Sequence, residues 1–194
     1  PASPKKYQQD PVRTLNICFN GTQKALEIAK ATGAKLIFTS TSEIYGDPSV
    51  HPQTEDYNGN VNTVGPRSCY DEGKRVAETL IMECCKEYNV KYGIARVFNT
   101  YGPYMSKTDG RVLSTFIGQA QASQALTVYG RGAQTRSFCY VTDLVEGLVK
   151  LAESTHSGPI NIGNPSEEIT IKELAHMVIA KVGSGKISYA PLPV

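Results

Sequence analysis

Ala34-Lys35-Leu36-Ile37-Phe38-Thr39 is a short apolar run that ends in the hydroxyl-rich stretch Ser40-Thr41-Ser42-Glu43. An apolar run without polar alternation reads as a strand buried on both faces, as in a parallel sheet covered by helices. The flanking sequence agrees. Before it, a helix is expected from about Pro11 to Ala31, burying Leu15, Cys18, Phe19, Leu26 and Ala29 on one side. After it, Gly46 to Arg67 is rich in Pro, Asn and Gly and reads as a long functional loop, since such loops in compact domains are usually lids or binding segments. That loop leads into a helix expected from about Tyr70 to Asn89, with Tyr70, Lys74, Ala77, Ile81, Cys84 and Tyr88 on one face. Tyr92 to Phe98 follows as a second buried strand, stopped by Gly102-Pro103. Helix-like and strand-like stretches alternate, so the class is α/β.

Beyond Gly110 the elements shorten. A helix is expected near Val112 to Ser123, strands near Leu126 to Tyr129 and Arg136 to Val141, a helix from about Asp143 to Glu153, and a strand at Pro159 to Gly163. Thr170-Ile171-Lys172-Glu173 reads as a capping box ahead of the apolar face Leu174, Ala175, Val178, Ile179 and Val182. No closing element is expected before Pro193-Val194. This half looks like a smaller lobe.

The 194 residues carry a net charge of +2 with no run of like charges, which argues against a nucleic-acid surface or a basic membrane patch. A small-molecule ligand is expected. No apolar stretch approaches the roughly 20 residues that span a bilayer, and Pro1 to Lys6 lacks the apolar segment of a signal peptide. The five cysteines (Cys18, Cys69, Cys84, Cys85, Cys139) are scattered through apolar stretches, which suits buried thiols in a reducing compartment. The three histidines show no ligand spacing, so no metal site is expected.

The chemistry centres on Ser68-Cys69-Tyr70-Asp71-Glu72-Gly73-Lys74, where a phenol and an ammonium stand one helical turn apart. A phenol, with a reference pKa of about 10, is a poor base at neutral pH. A neighbouring ammonium should lower that value, allowing the phenol to take a hydroxyl proton while a nicotinamide ring accepts a hydride. Ligands of open α/β sheets lie beyond the carboxyl ends of the strands, where Thr39 to Glu43 and Asn99-Thr100 fall.

Thr39-Ser40-Thr41-Ser42-Glu43-Ile44-Tyr45-Gly46, Tyr70-Asp71-Glu72-Gly73-Lys74, Arg96 to Pro103 and Val128 to Phe138, in that order, resemble the extended short-chain dehydrogenase/reductases that act on nucleotide sugars. Within that superfamily Pro1-Ala2-Ser3-Pro4, Thr41-Ser42-Glu43 and Ser68 to Arg75 are most similar to the UDP-glucuronate decarboxylases. The resemblance implies a partial Rossmann-like, doubly wound parallel sheet: residues 1–109 as the C-terminal part of an NAD-binding domain, and 110–194 mainly as a sugar-nucleotide-binding lobe, with elements near 136–163 returning to the first domain. Family members open with a Gly-rich turn that holds the cofactor pyrophosphate and close with an Arg-Arg-Pro segment. Neither is found in this sequence, which is therefore expected to be an internal fragment, inactive and poorly soluble by itself.

The reaction implied is oxidation of the sugar at C4 with NAD, loss of carbon dioxide from the resulting β-keto acid, and return of the hydride to give UDP-xylose. By resemblance Tyr70 is the base and later the acid, Lys74 holds the nicotinamide ribose, Thr41 bonds the C4 oxygen and Glu43 orients the sugar. Thr100 and Arg111 fall at cofactor-contacting positions; Asn99, Arg111, Tyr129, Gln134, Arg136 and Ser137 fall on the substrate side. Where 4,6-dehydratases carry an Asp after the threonine, this chain has Ser42, which weighs against dehydration. Three positions depart from the pattern: Cys18 replaces a helix Asn, and Asn16 and Lys24 replace substrate contacts. The competing expectations are a UDP-sugar 4-epimerase or 4,6-dehydratase, or a non-catalytic fragment that only binds the sugar nucleotide. A homodimer through the helix bearing Tyr70, using Leu80 and Met82, is also expected, located in the cytoplasm or, with a membrane anchor, the Golgi lumen.

Overall fold

A computed structural model of the chain describes residues 2–106 and 109–192; Pro1 and Pro193-Val194, named above, lie outside them. The chain runs α1 (Pro4–Tyr7), α2 (Pro11–Thr32), β1 (Leu36–Thr41), a single 3-10 turn (Ser42–Tyr45), α3 (Ser68–Tyr88), β2 (Tyr92–Val97) and β3 (Thr100–Tyr101). It continues with α4 (Val112–Gln121), β4 (Leu126–Tyr129), β5 (Thr135–Ser137), β6 (Cys139–Tyr140), α5 (Val141–Glu153), β7 (Pro159–Ile162), β8 (Glu168–Thr170), α6 (Ile171–Val182) and β9 (Ile187–Ala190). The α/β class read from the sequence is the class observed.

Local chemistry sets the helix ends. Asp10 caps α2 by accepting from the Arg13 backbone N–H at 3.0 Å, with Pro11 at the first helical position. Gly33 closes α2 in the left-handed region at φ 69°, where a side chain would be strained. The Thr170–Glu173 capping box forms in full at the start of α6.

Strands β1, β2 and β7 form a parallel sheet in that order, with Thr41 opposite Val97 and Val97 opposite Ile162, so all three carboxyl ends fall on one side. Ile94 packs among Leu26, Ile81 and Cys85, whereas a Cβ at its neighbour Gly93 would meet Leu151 of α5 at 2.9 Å. Successive strand residues point to opposite faces, so α2 and α3 cover one face and α5 the other. A second core joins Phe116, Leu126, Val128, Ile171, Leu174 and Val178 from α4, β4 and α6.

Several expectations need correction. Leu15 and Phe19 are 39% and 41% exposed, and the face of α2 toward α3 instead carries Thr14, Cys18, Thr22, Leu26 and Ala29. Two threonines can be buried there because their hydroxyls bond nearby carbonyls, Thr14 to Asp10 at 3.0 Å and Thr22 to Cys18 at 2.6 Å. Strand β1 is an edge of its sheet among the described residues, so Leu36, Ile37 and Phe38 are only half-buried. On α3, Cys85 rather than Cys84 is buried, and Tyr88 is exposed. The stretch expected as one strand from Arg136 to Val141 divides into β5, paired with β8, and β6, paired with β3. A closing strand does exist: β9 pairs in parallel with β4.

The segment from Gly46 to Arg67 is fastened down by a buried polar network. Arg96 forks onto Glu78, with Nη2 to Oε2 at 2.8 Å and Nε to Oε1 at 3.2 Å. Its Nη1 donates to the Tyr45 hydroxyl at 2.9 Å and to the Glu55 carbonyl at 2.8 Å. The Asn161 N–H donates to Glu55 Oε1 at 2.7 Å, and Arg75 donates to the carbonyls of Ile44 and Asn58. At its start, Gly46 runs so close to Asn60 that a Cβ would lie 2.0 Å from the Asn60 oxygen.

Candidate active site

A cleft of about 600 Å³ opens at the carboxyl ends of β1 and β2, between the sheet and the second core. Thr41, Glu43, Tyr70, Lys74, Asn99, Thr100, Arg111, Tyr129, Gln134 and Arg136 all line it. Ser137 does not: Arg136 and Phe138 face the cleft, and strand alternation turns the residue between them away. Of the segment from Gly46 to Arg67 expected as a functional loop, Arg67 lines the cleft, while residues 46 to 66 do not and are fastened to the sheet.

Tyr70 is placed by the first turn of α3 and Thr41 by the last position of β1, so that both line the cleft and the Thr41 hydroxyl lies near the phenol. The same Thr41 oxygen accepts from the Glu43 N–H at 3.2 Å, capping the 3-10 turn that carries Glu43 into the cleft. One turn after Tyr70, Lys74 Nζ donates to the Thr39 carbonyl at 2.8 Å. It stands 4.7 Å from the Phe38 ring centroid and 5.9 Å from that of Tyr70.

The electrostatics differ from the sequence expectation. Burial pushes the Tyr70 phenol above its ordinary value, the Thr41 hydrogen bond pulls the other way, the Glu43 carboxylate adds to the rise, and Arg111 opposes it. Burial also holds the Lys74 ammonium below its usual range. The Lys74 charge is directed at a carbonyl and an aromatic face, and desolvation governs the phenol.

The remaining expected residues of the cleft are held by local bonds. Arg111 immediately precedes α4 and pairs with Asp109 at 2.6 Å. Thr100 donates to the Phe98 carbonyl at 3.0 Å, Gln134 Nε2 to the Tyr129 carbonyl at 3.3 Å, and Arg136 to the Thr135 carbonyl at 2.7 Å. Cys18 is buried against Gly73, where a Cβ would meet its Sγ at 3.1 Å, and it does not line the cleft. Neither do Asn16 and Lys24; Lys24 is ion-paired with Glu27 at 2.7 Å on the exposed side of α2.

Sequence reasoning missed Tyr7 and Arg67, both of which line the cleft. The Tyr7 ring stacks on Tyr70 with centroids 4.8 Å apart and planes 7° from parallel. Arg67 Nη2 lies 2.5 Å from Glu43 Oε2. A cation three residues before Tyr70 was the one available signal for Arg67; no spacing marks Tyr7. Among the described residues, no cluster of three or more His, Cys, Asp or Glu could hold a metal ion, and no helix is long and apolar enough to cross a membrane.

A helix tyrosine, the lysine one turn after it and a strand-end threonine thus converge on one cleft, and a direct comparison with known proteins places the chain. The sequence profile described as the NAD dependent epimerase/dehydratase family matches residues 1–163. The chain belongs to this family. Within it, the chain is 58% identical over 178 residues to UDP-glucuronic acid decarboxylase 6 of Arabidopsis thaliana, covering 92% of this chain and 52% of that protein. It is 55% identical over 184 residues to UDP-glucuronic acid decarboxylase 1 of Danio rerio, covering 95% and 44%. The chain thus spans about half the length of these curated relatives. Among solved structures it is similar to a UDP-N-acetylglucosamine 4-epimerase from Methanobrevibacter ruminantium (TM-score 0.89, 25% identity, 98% of this chain and 61% of that one). It is also similar to a UDP-glucuronic acid 4-epimerase from Bacillus cereus solved with UDP-glucuronic acid and NAD (TM-score 0.80, 28% identity, 91% and 55%).

Proposed function

We propose that the protein decarboxylates UDP-glucuronate to UDP-xylose with NAD. The observation that carries this is the convergence of Thr41, Glu43, Tyr70 and Lys74 at the strand tips, in a chain more than half identical to UDP-glucuronic acid decarboxylases over nearly all its length.

The residues present fit the nicotinamide-ribose end of NAD. Lys74 lines the cleft and has three N–H donors, one of which serves Thr39, so it can offer others to ribose hydroxyls; Thr100 lies across the cleft. The sequence contains no G-x-G-x-x-G turn of the kind that cradles the pyrophosphate. Bound NAD supplies a hydride acceptor that later becomes the donor. Tyr70, as the phenolate, would accept the C4 hydroxyl proton while the Thr41 hydroxyl donates a hydrogen bond to the same oxygen. Once C4 is a carbonyl, the C5 carboxylate is β to it and leaves as carbon dioxide, its bonding electrons passing into an enolate that takes a proton at C5. Glu43 orients the sugar ring during these steps. Arg111 and Arg136 provide guanidinium forks for the diphosphate, and Tyr129 and Gln134 flank the nucleoside end.

The test is to give the complete protein UDP-glucuronate and NAD, then follow carbon dioxide and UDP-xylose. Release of no carbon dioxide, with UDP-galacturonate accumulating instead, overturns the proposal in favour of a 4-epimerase.

A homodimer through the helix bearing Tyr70 is part of the same proposal. Leu80 and Met82 are partly buried beside Ile81 and Ile94 and keep part of their surface exposed. Further exposed apolar residues lie on α2, with Val12, Leu15 and Phe19 forming one stripe, and at Val76 on α3. Sedimentation equilibrium that finds only monomer, unchanged by Phe19→Glu, removes this part.

A further inference from the structure

Arg67 has no part in the chemistry above, yet it ties together three groups under the cleft. Its Nη2 lies 2.5 Å from Glu43 Oε2 and 3.8 Å from Asp71 Oδ1, and the Tyr7 hydroxyl faces the same guanidinium. Arg67 precedes α3 and Asp71 occupies its first turn, so the helix holds these two residues in register, the Asp71 N–H donating to the Arg67 carbonyl at 3.2 Å. One cation serves two carboxylates. The Glu43 side chain is 36% exposed and lines the cleft, whereas that of Asp71 is 12% exposed and lies behind it. Asp71 Oδ1, Arg67 Nε and the Tyr7 hydroxyl are all buried without a hydrogen-bond partner. A buried carboxylate with an unpartnered oxygen is costly as the anion, and taking up a proton relieves that cost.

We propose that Arg67 is a positioning residue that aims the Glu43 carboxylate into the cleft, and that Asp71, by gaining or losing one proton, sets how much of that cation Glu43 keeps. The consequence is a change in the charge the cleft presents to a sugar carboxylate. With Asp71 neutral, Glu43, Arg67 and Asp71 carry no net charge together; with Asp71 ionised they carry one negative charge. The groups facing Asp71 are Arg67 before its helix, Glu43 from the turn after β1, Cys69 and Glu72 on its own helix and Tyr7 from α1. Burial raises the Asp71 carboxyl to about 6, Arg67 opposes the rise, and Glu43 and Glu72 add to it. The charge change therefore falls close to neutral pH, and UDP-glucuronate should bind more weakly as pH rises through that point. This last consequence rests on the proposed UDP-glucuronate site; the coupling of Arg67 to Asp71 does not.

The experiment has two arms. In the first, the Asp71 carboxyl is titrated by NMR without ligand in the wild type, Arg67→Gln and Glu43→Gln. The midpoint should lie near 6 in the wild type, rise in R67Q, where an attraction is lost, and fall in E43Q, where a repulsion is lost. Arg67→Lys, which keeps the charge, should stay near the wild type; if R67Q does not fold, the fall in E43Q decides this arm, and a midpoint unmoved there overturns the proposal. A wild-type midpoint near the ordinary value of about 4, or one unmoved by both R67Q and E43Q, overturns the proposal. In the second arm, calorimetry on the complete protein compares UDP-glucuronate with UDP-xylose, which lacks the carboxylate. UDP-glucuronate should lose about fivefold in affinity between the acidic and the alkaline side of the Asp71 midpoint, UDP-xylose should not change, and Asp71→Asn should abolish the difference. A dependence that persists in D71N overturns the proposal. If neither nucleotide binds while the titration shifts as stated, the UDP-glucuronate reading falls and the Arg67–Asp71 coupling stands.

Discussion

Replacing Asp71 with Asn should make the fold more stable at neutral pH, even though it removes a charge that faces an arginine. Asp71 is 9% exposed, its Oδ1 has no hydrogen-bond partner, and Arg67 at 3.8 Å is too distant for a hydrogen bond. Burial wins over that attraction and raises the carboxyl from 3.8 to about 6. The folded chain then holds the proton more tightly than the unfolded chain does. The stability this gives is fully present below the unfolded value, declines as pH rises, and is lost above about 6. A shift of about two units at 1.36 kcal/mol each amounts to about 3 kcal/mol, a sizeable part of the roughly 5–15 kcal/mol that holds a domain together. Asparagine keeps the shape of the neutral acid at every pH, so D71N should match the wild type near the unfolded value and exceed it by about 2–3 kcal/mol above the folded one. Urea unfolding across that range, with the slope checked for constancy, measures this directly. If D71N is the less stable protein at neutral pH, or the two stability curves run parallel, Asp71 is a well-paired anion and the burial argument is wrong.

Arg96→Met should cost about 3–5 kcal/mol, because it leaves Glu78 buried without its cation; the pair is only 11% exposed on each side. The double variant R96M/E78L should recover much of that loss in urea unfolding, and a double variant as unstable as the sum of the singles refutes the pairing. Tyr70→Phe in the complete protein should lower turnover by roughly 10²–10⁴-fold while circular dichroism and nucleotide binding stay intact, and turnover within a few-fold of the wild type refutes the acid–base role.

What could be read from the sequence was mostly local. The apolar runs of β1 and β2 reveal a parallel sheet because a strand covered by helices needs no polar alternation. The Thr170–Glu173 box is visible because donor and acceptor lie three residues apart. Leu15 and Phe19 mislead because α2 carries apolar side chains on more than one face, and periodicity cannot say which face meets α3 when Thr14 and Thr22 satisfy their hydroxyls on the helix itself. Strands β8 and β9 could not be seen because they are three and four residues long and pair with distant segments. Ser137 matched a motif by position, but the pleat directs only its neighbours into the cleft. Arg67 and Tyr7 reach the site through tertiary convergence, which spacing does not record.

The Tyr70–Lys74 spacing shows the same divide within one pair of residues. Helix geometry guarantees that the two side chains share a face, and the structure places both in the cleft. It does not guarantee that one charge tunes the other. The Lys74 ammonium is committed to the Thr39 carbonyl and the Phe38 ring, while the phenol is surrounded by the stacked Tyr7, the Thr41 hydroxyl and the nearby Glu43 carboxylate. A phenol raised above 10 by burial is the form suited to giving a proton, and taking one requires the field around it to change. Of the groups that press it upward, Glu43 is the one whose charge is already compensated by a cation, Arg67 at 2.5 Å. The acidity of the Tyr70 phenol is therefore governed less by its helix partner than by its burial, with the Arg67-held Glu43 carboxylate adding to the rise from outside the Tyr-x-x-x-Lys motif.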